Sequence, residues 1–324
     1  MSTATAVRGS RWQRFVDFCA VSEDATAVAV TRIVLGITIS LHMLMMVGTG
    51  ESTTVMVHHA FGGLQEGAKT TWASPTLVTL LVLLTSLCGA LMAVGLFTRS
   101  AIVLAWVGMR LVSLVSSGAH GGTDALLIDL LLLLAFSGCG NTLSLDAWRR
   151  RRRRRETGVT AADRPALRVV RLMIVVQLVL LYTLGGLQKV SWGWVPGGDA
   201  SALWFALHQQ QWTRLDSLPP AWAWPFTQLA TTSSWLFEVL APLLLVSIGC
   251  ELKQAKSRLG RFLARVELRG VYLLYGFLMH LGIEVLMEVG PYMYVTCSMY
   301  SCVLGPEVCR RLLRRPSPSP SENS

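Results

Sequence analysis

Eight apolar stretches, most of them near the length that a bilayer's hydrocarbon core demands, roughly 20 residues, constrain this chain more than any other feature. They run Ala27–Val47, Pro75–Leu96, Ala101–Ser117, Thr123–Gly140, Val169–Val190, Gln228–Cys250, Gly270–Gly290 and Tyr292–Leu304. In lipid every backbone N–H and C=O must be satisfied within its own segment, so such stretches fold as helices. The sequence therefore predicts an all-α integral membrane protein, a polytopic bundle of about eight transmembrane helices. Composition agrees: of 324 residues, 52% are hydrophobic and 15% charged, well below the quarter or so of charged residues usual in soluble domains.

The basic residues orient the bundle. The formal net charge is +10, and the Lys and Arg sit in short connections rather than on a nucleic-acid-binding face. With the N-terminus inside, the seven arginines Arg149 to Arg155 fall inside after four crossings. The 253–269 connection falls inside after six, and Arg310, Arg311, Arg314 and Arg315 after eight. Every strong basic cluster then shares one side, as the positive-inside rule requires. The expected arrangement is N-in/C-in in the cell membrane. Residues 1–25 form a cytoplasmic lead-in, 26–309 the transmembrane domain and 310–324 a disordered Pro/Ser tail. The Trp-rich segment 191–227 falls outside, where aromatic belts sit. Seven cysteines without a CxxC point away from a disulfide scaffold or zinc site. No metal site and no nucleic-acid partner are expected.

Ionisable groups within spans cost roughly 2.5–3.5 kcal/mol each on insertion scales, so they need partners or a purpose. They are Arg32, His42, Arg110, Asp124, Asp129, Lys189, Glu238, His280, Glu284 and Glu288. Apart from Arg32 they fall in the middle or outer half, which predicts a polar cavity opening outward. His280, Glu284 and Glu288 are four apart and stack on one helical face, either as a proton path or cation site, or as a buried ion pair with an interfacial carboxylate. Tyr182, Gly185 and Lys189 share another face, with Gly186 beside them, and small residues there admit a neighbouring helix or a flat ligand. Desolvation disfavours the charged ammonium of a lysine so placed, the setting of a general base. The plainer reading is a lysine snorkelling beside Trp192 and Trp194. Arg110 and Glu238 are candidate counter-ions for Asp129 or Lys189. The arginine run reads as a topogenic anchor beside anionic lipid.

Four segments in order carry a resemblance: GTDALLIDLLLLLAFSGCGNTLSLDAW, YTLGGLQKVSWGWVPGG, WLFEVLAPLLL and HLGIEVLMEVGPYMY. With the Ser144-Leu145-Asp146 end and the Gly-x-x-Lys-x-x-x-x-Trp pattern from Gly186 to Trp194, they resemble the HTTM domain, the membrane module shared with vitamin K-dependent gamma-carboxylases. The resemblance runs from about Arg32 to Pro306. It implies oxidation of a reduced naphthoquinone of the vitamin K or menaquinol type to its epoxide, coupled to carboxylation of Glu in an exported protein or peptide. It implies Lys189 as the base, His280 in a catalytic position, and Tyr182, Gly185, Gly186 and Trp192 around the quinone. Arg110, Asp124, Asp129, Glu238, Glu284 and Glu288 would supply the remaining cavity polarity.

Two departures stand beside it. Carboxylases carry a large extracytoplasmic region after the helices, and no such region is expected here. They also have an Asn-His pair before the fourth helix, where Gly122 and Thr123 stand in this chain. The chain also resembles a second group, the short HTTM proteins that act as accessory factors in maturing a secreted sporulation-delaying toxin peptide. The alternatives are thus a quinol-using membrane enzyme, a maturation factor for a small exported peptide, or a transporter or lipid-binding protein using the acidic stripe.

Overall fold

The computed structural model describes residues 10–50, 74–115, 121–157 and 165–313. The expected polar connection holding Glu51, His58, His59, Glu66 and Lys69 lies outside these residues, as do His120 and the end of the tail.

The lead-in is not featureless. Ser10 accepts from the Gln13 N–H and starts α1 (Arg11–Ala20), an amphipathic helix. A two-residue strand β1 (Ser22–Glu23) then pairs antiparallel with β2 (Ala166–Leu167), tying the lead-in to the foot of a later span. The long helices α2 (Thr26–Gly48), α3 (Pro75–Val94) and α4 (Thr98–Val115) follow. Ser74 and Pro75 start α3, and Gly95 ends it in the left-handed conformation, where a residue without Cβ is unstrained. α2 and α3 cross where both lack side chains. A Cβ on Gly36 would stand 2.6 Å from the Ala93 nitrogen, and one on Gly89 2.8 Å from the Ser40 nitrogen, so the backbones touch.

α5 (Gly122–Phe136) is shorter than the expected fourth span. The chain leaves it through a left-handed Gly138 and a 3-10 turn, Cys139–Asn141. Arg32 on α2 reaches this exit and donates to Cys139 O at 3.1 Å and Leu143 O at 2.5 Å. The buried guanidinium thus satisfies two carbonyls of the turn that follows the helix. The arginine run lies in a helix, α6 (Leu145–Thr157), pinned by Asp146. That carboxylate accepts from Phe97 N, Thr98 N and Thr98 Oγ1 at 2.7–3.1 Å. Partial burial pushes its pKa up, but these bonds and the Arg150 charge outweigh it and hold the carboxyl below its ordinary range.

The second half comprises α7 (Arg168–Gln188), α8 (Ala202–Leu207), α9 (Trp224–Val239), α10 (Pro242–Leu252), α11 (Arg258–Leu263), α12 (Val266–Leu286), α13 (Tyr292–Ser298), α14 (Tyr300–Leu304) and α15 (Pro306–Leu312). The sixth expected span is broken. α9, with the 3-10 turn before it, and α10 meet at a 40° bend, because Pro242 brings no N–H. The Phe237 carbonyl at the break is taken by the Tyr272 hydroxyl at 2.6 Å.

Five helices among the described residues are long and apolar enough to cross a membrane, and a sixth if the bent pair is one span. α5, with 15 residues, and the α13–α14 pair, with seven and five, are shorter. The shared core runs along α2, α4, α5 and α7 through Leu35, Ile39, Met109, Leu127, Leu131, Ile174 and Leu178. Exposed leucines such as Leu84, Leu104 and Leu274 cover the outside, the surface a bilayer solvates.

Three expectations change. Arg32 is joined by two more buried charges, Arg171 and Arg269, each near the start of its helix. Arg171 holds Glu23 at 2.5 Å and donates to Cys302 O at 2.8 Å. Arg269 holds Glu251 at 2.6 Å and donates to Val303 O at 3.2 Å. The two close over the end of the short last helix pair. The tail begins later than 310, since Arg310 and Arg311 complete α15. The seventh helix stops at Leu286 rather than at Pro291, which takes Glu288 off the helix.

Candidate functional site

Lys189 caps α7. The helix ends there, and the ammonium turns across to Glu238 on α9, Nζ to Oε1 2.5 Å. α7 and α9 can approach this closely because Gly186 lies against Glu238 and Val239. A Cβ added there would be 3.0 Å from side-chain carbons of both. The Trp194 ring stands under the ammonium, 4.8 Å from centroid to Nζ, a cation–π contact. The lysine side chain is 30% exposed and the glutamate 11%, so the pair sits at a boundary, with Lys189 toward the opening. Only Oε1 of Glu238 is engaged; Oε2 is buried without a partner.

The pair forms one wall of a cavity of about 490 Å³ between α9 and α12, within the range of small-molecule sites. The opposite wall is apolar, with Leu278, Met279, Ile283 and Leu286 of α12. His280 and Tyr292 close the inner end, their rings edge-to-face at 5.3 Å. His280 is 2% exposed. Its Nε2 meets the Tyr182 hydroxyl at 2.8 Å, and that hydroxyl meets Tyr300 at 2.9 Å. Its Nδ1 has no partner.

The structure brings together four of the residues expected around the site, Lys189, Glu238, His280 and Tyr182, with Gly186 and Gly185 backing the glutamate. It does not bring the rest. Asp124 accepts from the Gly121 N–H at the start of α5. Asp129 is reached by Gln177 at 3.4 Å, not by Arg110, which is exposed on α4. Trp192 is 66% exposed and does not line the cavity; Trp194 takes that place. The stripe His280, Glu284, Glu288 is not one polar column. Glu284 and Glu288 turn to Arg214, at 3.4 and 2.8 Å, in a loop that also bridges back through Thr213 and Met287. They form a rim, and His280 faces inward.

Tyr292, Tyr300 and Arg214 escape a reading of the sequence. Tyrosines are ordinary in spans, and the fold of the loop that carries Arg214 has no periodic signal. Trp194 was within reach, as the last residue of the Gly186–Trp194 pattern.

The arrangement can hold a flat apolar molecule with polar ends and move a proton at the lysine end. A family model for the HTTM domain matches residues 21–303. Neither the curated proteins nor the solved structures give a match to the chain. With 21–303 covered, an apolar helical bundle around Lys189 and the four segments in order, the chain belongs to the HTTM domain family.

Proposed function

We propose that this is an eight-crossing membrane protein with both termini cytoplasmic, whose outward-facing cavity takes a reduced naphthoquinone and removes a hydroxyl proton from it, in the service of modifying an exported peptide or protein. The observation that carries this reading is the apolar cavity closed on one side by the Lys189–Glu238 pair. The residues suit the ligand: apolar walls for fused rings, and two buried polar atoms without partners, Glu238 Oε2 and His280 Nδ1, for its oxygens. Lys189 would meet one hydroxyl and His280 the other end.

A bound quinol supplies the reducing electrons and the energy of its oxidation by oxygen. The chain's own part is acid–base and positional. Lys189 can take a hydroxyl proton after yielding one to Glu238, whose free Oε2 leaves room for a carboxylic acid. Trp194 holds the ammonium in place, and the aliphatic wall keeps water away, which strengthens each polar contact inside. The basic clusters at 149–155 and 253–269 support the orientation that puts this mouth outside.

A second reading, a maturation factor for an exported peptide without carboxylase activity, is favoured by Gly122 and Thr123 standing where carboxylases have Asn-His. The two separate in membranes supplied with reduced menaquinone and oxygen. The enzymatic reading expects oxygen-dependent epoxide that disappears in Lys189→Ala. Equal epoxide from membranes lacking the protein would sink it.

A further inference from the structure

The direction of the hydrogen bonds behind the cavity can be worked out from its members. Tyr300 is 8% exposed, and its O–H has one oxygen or nitrogen acceptor among the described residues, the Tyr182 hydroxyl at 2.9 Å. The nearby Cys297 sulfur is a weak acceptor by comparison. A buried hydroxyl that donates to nothing costs about 1–3 kcal/mol, so Tyr300 donates to Tyr182. Tyr182 has a single proton and a second neighbour, His280 Nε2 at 2.8 Å. It therefore donates to His280, and Nε2 is an acceptor. The ring is neutral, because an imidazolium here would be a buried charge facing a phenol, with Glu238 already held by Lys189 and Glu284, one turn along the same helix, by Arg214. A neutral imidazole whose Nε2 accepts carries its proton on Nδ1. That atom is the unpartnered one, on a residue that lines the cavity.

We infer that His280 is a fixed Nδ1–H donor at the closed end of the cavity, that Tyr300 and Tyr182 are positioning residues setting its tautomer, and that the ligand offers this donor an acceptor oxygen while a second oxygen meets Lys189. The ligand class is a flat apolar ring system with oxygens at opposite ends, as in a 1,4-quinone or its quinol. This rests on the naphthoquinone reading for the ligand and on the hydrogen-bond chain for the donor, and the two can fail separately.

The test is nitrogen NMR of the full-length protein in lipid nanodiscs with labelled histidine, His280 being assigned by its loss in His280→Gln. The ligand-free protein is expected to show the Nδ1–H tautomer at His280. Adding 1,4-naphthoquinone should shift that Nδ1, whereas naphthalene, with no acceptor, should not. Tyr182→Phe keeps the ring that packs on Phe237 at 4.9 Å and removes the hydroxyl, both the donor to His280 and the acceptor for Tyr300. It should release the tautomer and weaken naphthoquinone binding about tenfold, the equivalent of about 1.4 kcal/mol, with naphthalene binding unchanged. An Nε2–H tautomer in the ligand-free wild type overturns the inference, and needs no variant to be seen. Naphthoquinone bound without a shift at His280, or with equal affinity in Tyr182→Phe, also overturns it. An Nδ1–H tautomer with no naphthoquinone binding upholds the donor and overturns the quinol reading instead.

Discussion

At the residue scale, the cavity is organised by one ion pair. Lys189 and Glu238 are unequally exposed, and each is the other's only charged partner among the described residues. Breaking the pair leaves a half-buried charge, so Glu238→Gln should cost about 1.5–3 kcal/mol, the range for hydrogen bonds to charged groups. Lys189→Met should cost a similar amount. The double variant Lys189→Met with Glu238→Gln should cost less than the sum, since neither charge remains to be stranded. Urea unfolding in a mild detergent reads all three, and strict additivity would mean that the contact contributes nothing. The sequence pointed to these residues for a sound reason: ionisable groups in an apolar span stand out. It could not rank them. Lys189, Glu238 and His280 converge because α7 ends at Lys189, α9 breaks just beyond Glu238, and α12 carries His280 along the cavity between them. Asp124, Asp129 and Arg110 carry the same intrinsic cost but face a helix start, a neighbouring glutamine and the outside.

At the element scale, the bundle depends on where helices stop. Pro242 breaks the sixth stretch, which sets Glu238 one turn above the bend with its carboxylate toward Lys189. Leu286 ends α12 and hands Glu288 to the Arg214 rim. A regular 3.6-residue helix drawn through 280–288 misses this. The backbone turns extended at Met287 to pair with Thr213, a long-range contact that no local pattern announces. Glycine contacts were legible only in part. Gly185 and Gly186 stood out beside Lys189, whereas Gly36 and Gly89 matter because they meet each other across two helices. Gly36→Ala and Gly89→Ala should each destabilise the bundle by about 1–3 kcal/mol through overpacking. Gly249→Ala, with open space around its Cβ, should be neutral or slightly stabilising, since alanine is the better helix former. Thermal melting in detergent should rank the variants in that order. A Gly36→Ala protein as stable as Gly249→Ala would mean that α2 and α3 do not touch there.

At the scale of the whole molecule, membrane character and helical class were plain in the sequence, because a bilayer leaves the backbone so few options. Length was the weaker guide. α5 and the α13–α14 pair are short, and their ends are satisfied by buried arginines reaching from α2, α7 and α12. Those arginines sit near the N-terminal ends of their helices, where one reads them as orienting charges rather than as helix caps. The proposed orientation can be checked in intact cells. A cysteine replacing the exposed Leu218 should react with a membrane-impermeant thiol reagent above the wild-type background, and a fluorescent protein fused to the C-terminus should fold and fluoresce inside. Labelling of Leu218→Cys only after permeabilisation would reverse the orientation. The central claim is that the space between α9 and α12 holds a quinone-like ring beside Lys189. It is tested most directly by irradiating a photoreactive naphthoquinone with the full-length protein in nanodiscs and mapping the adducts by mass spectrometry. The account predicts adducts on Trp194, Met279, Ile283 and Met287 that unlabelled naphthoquinone competes away and that Lys189→Ala diminishes. Adducts spread over the lipid-facing leucines of α3 and α4, unaffected by competitor or by Lys189→Ala, would contradict it.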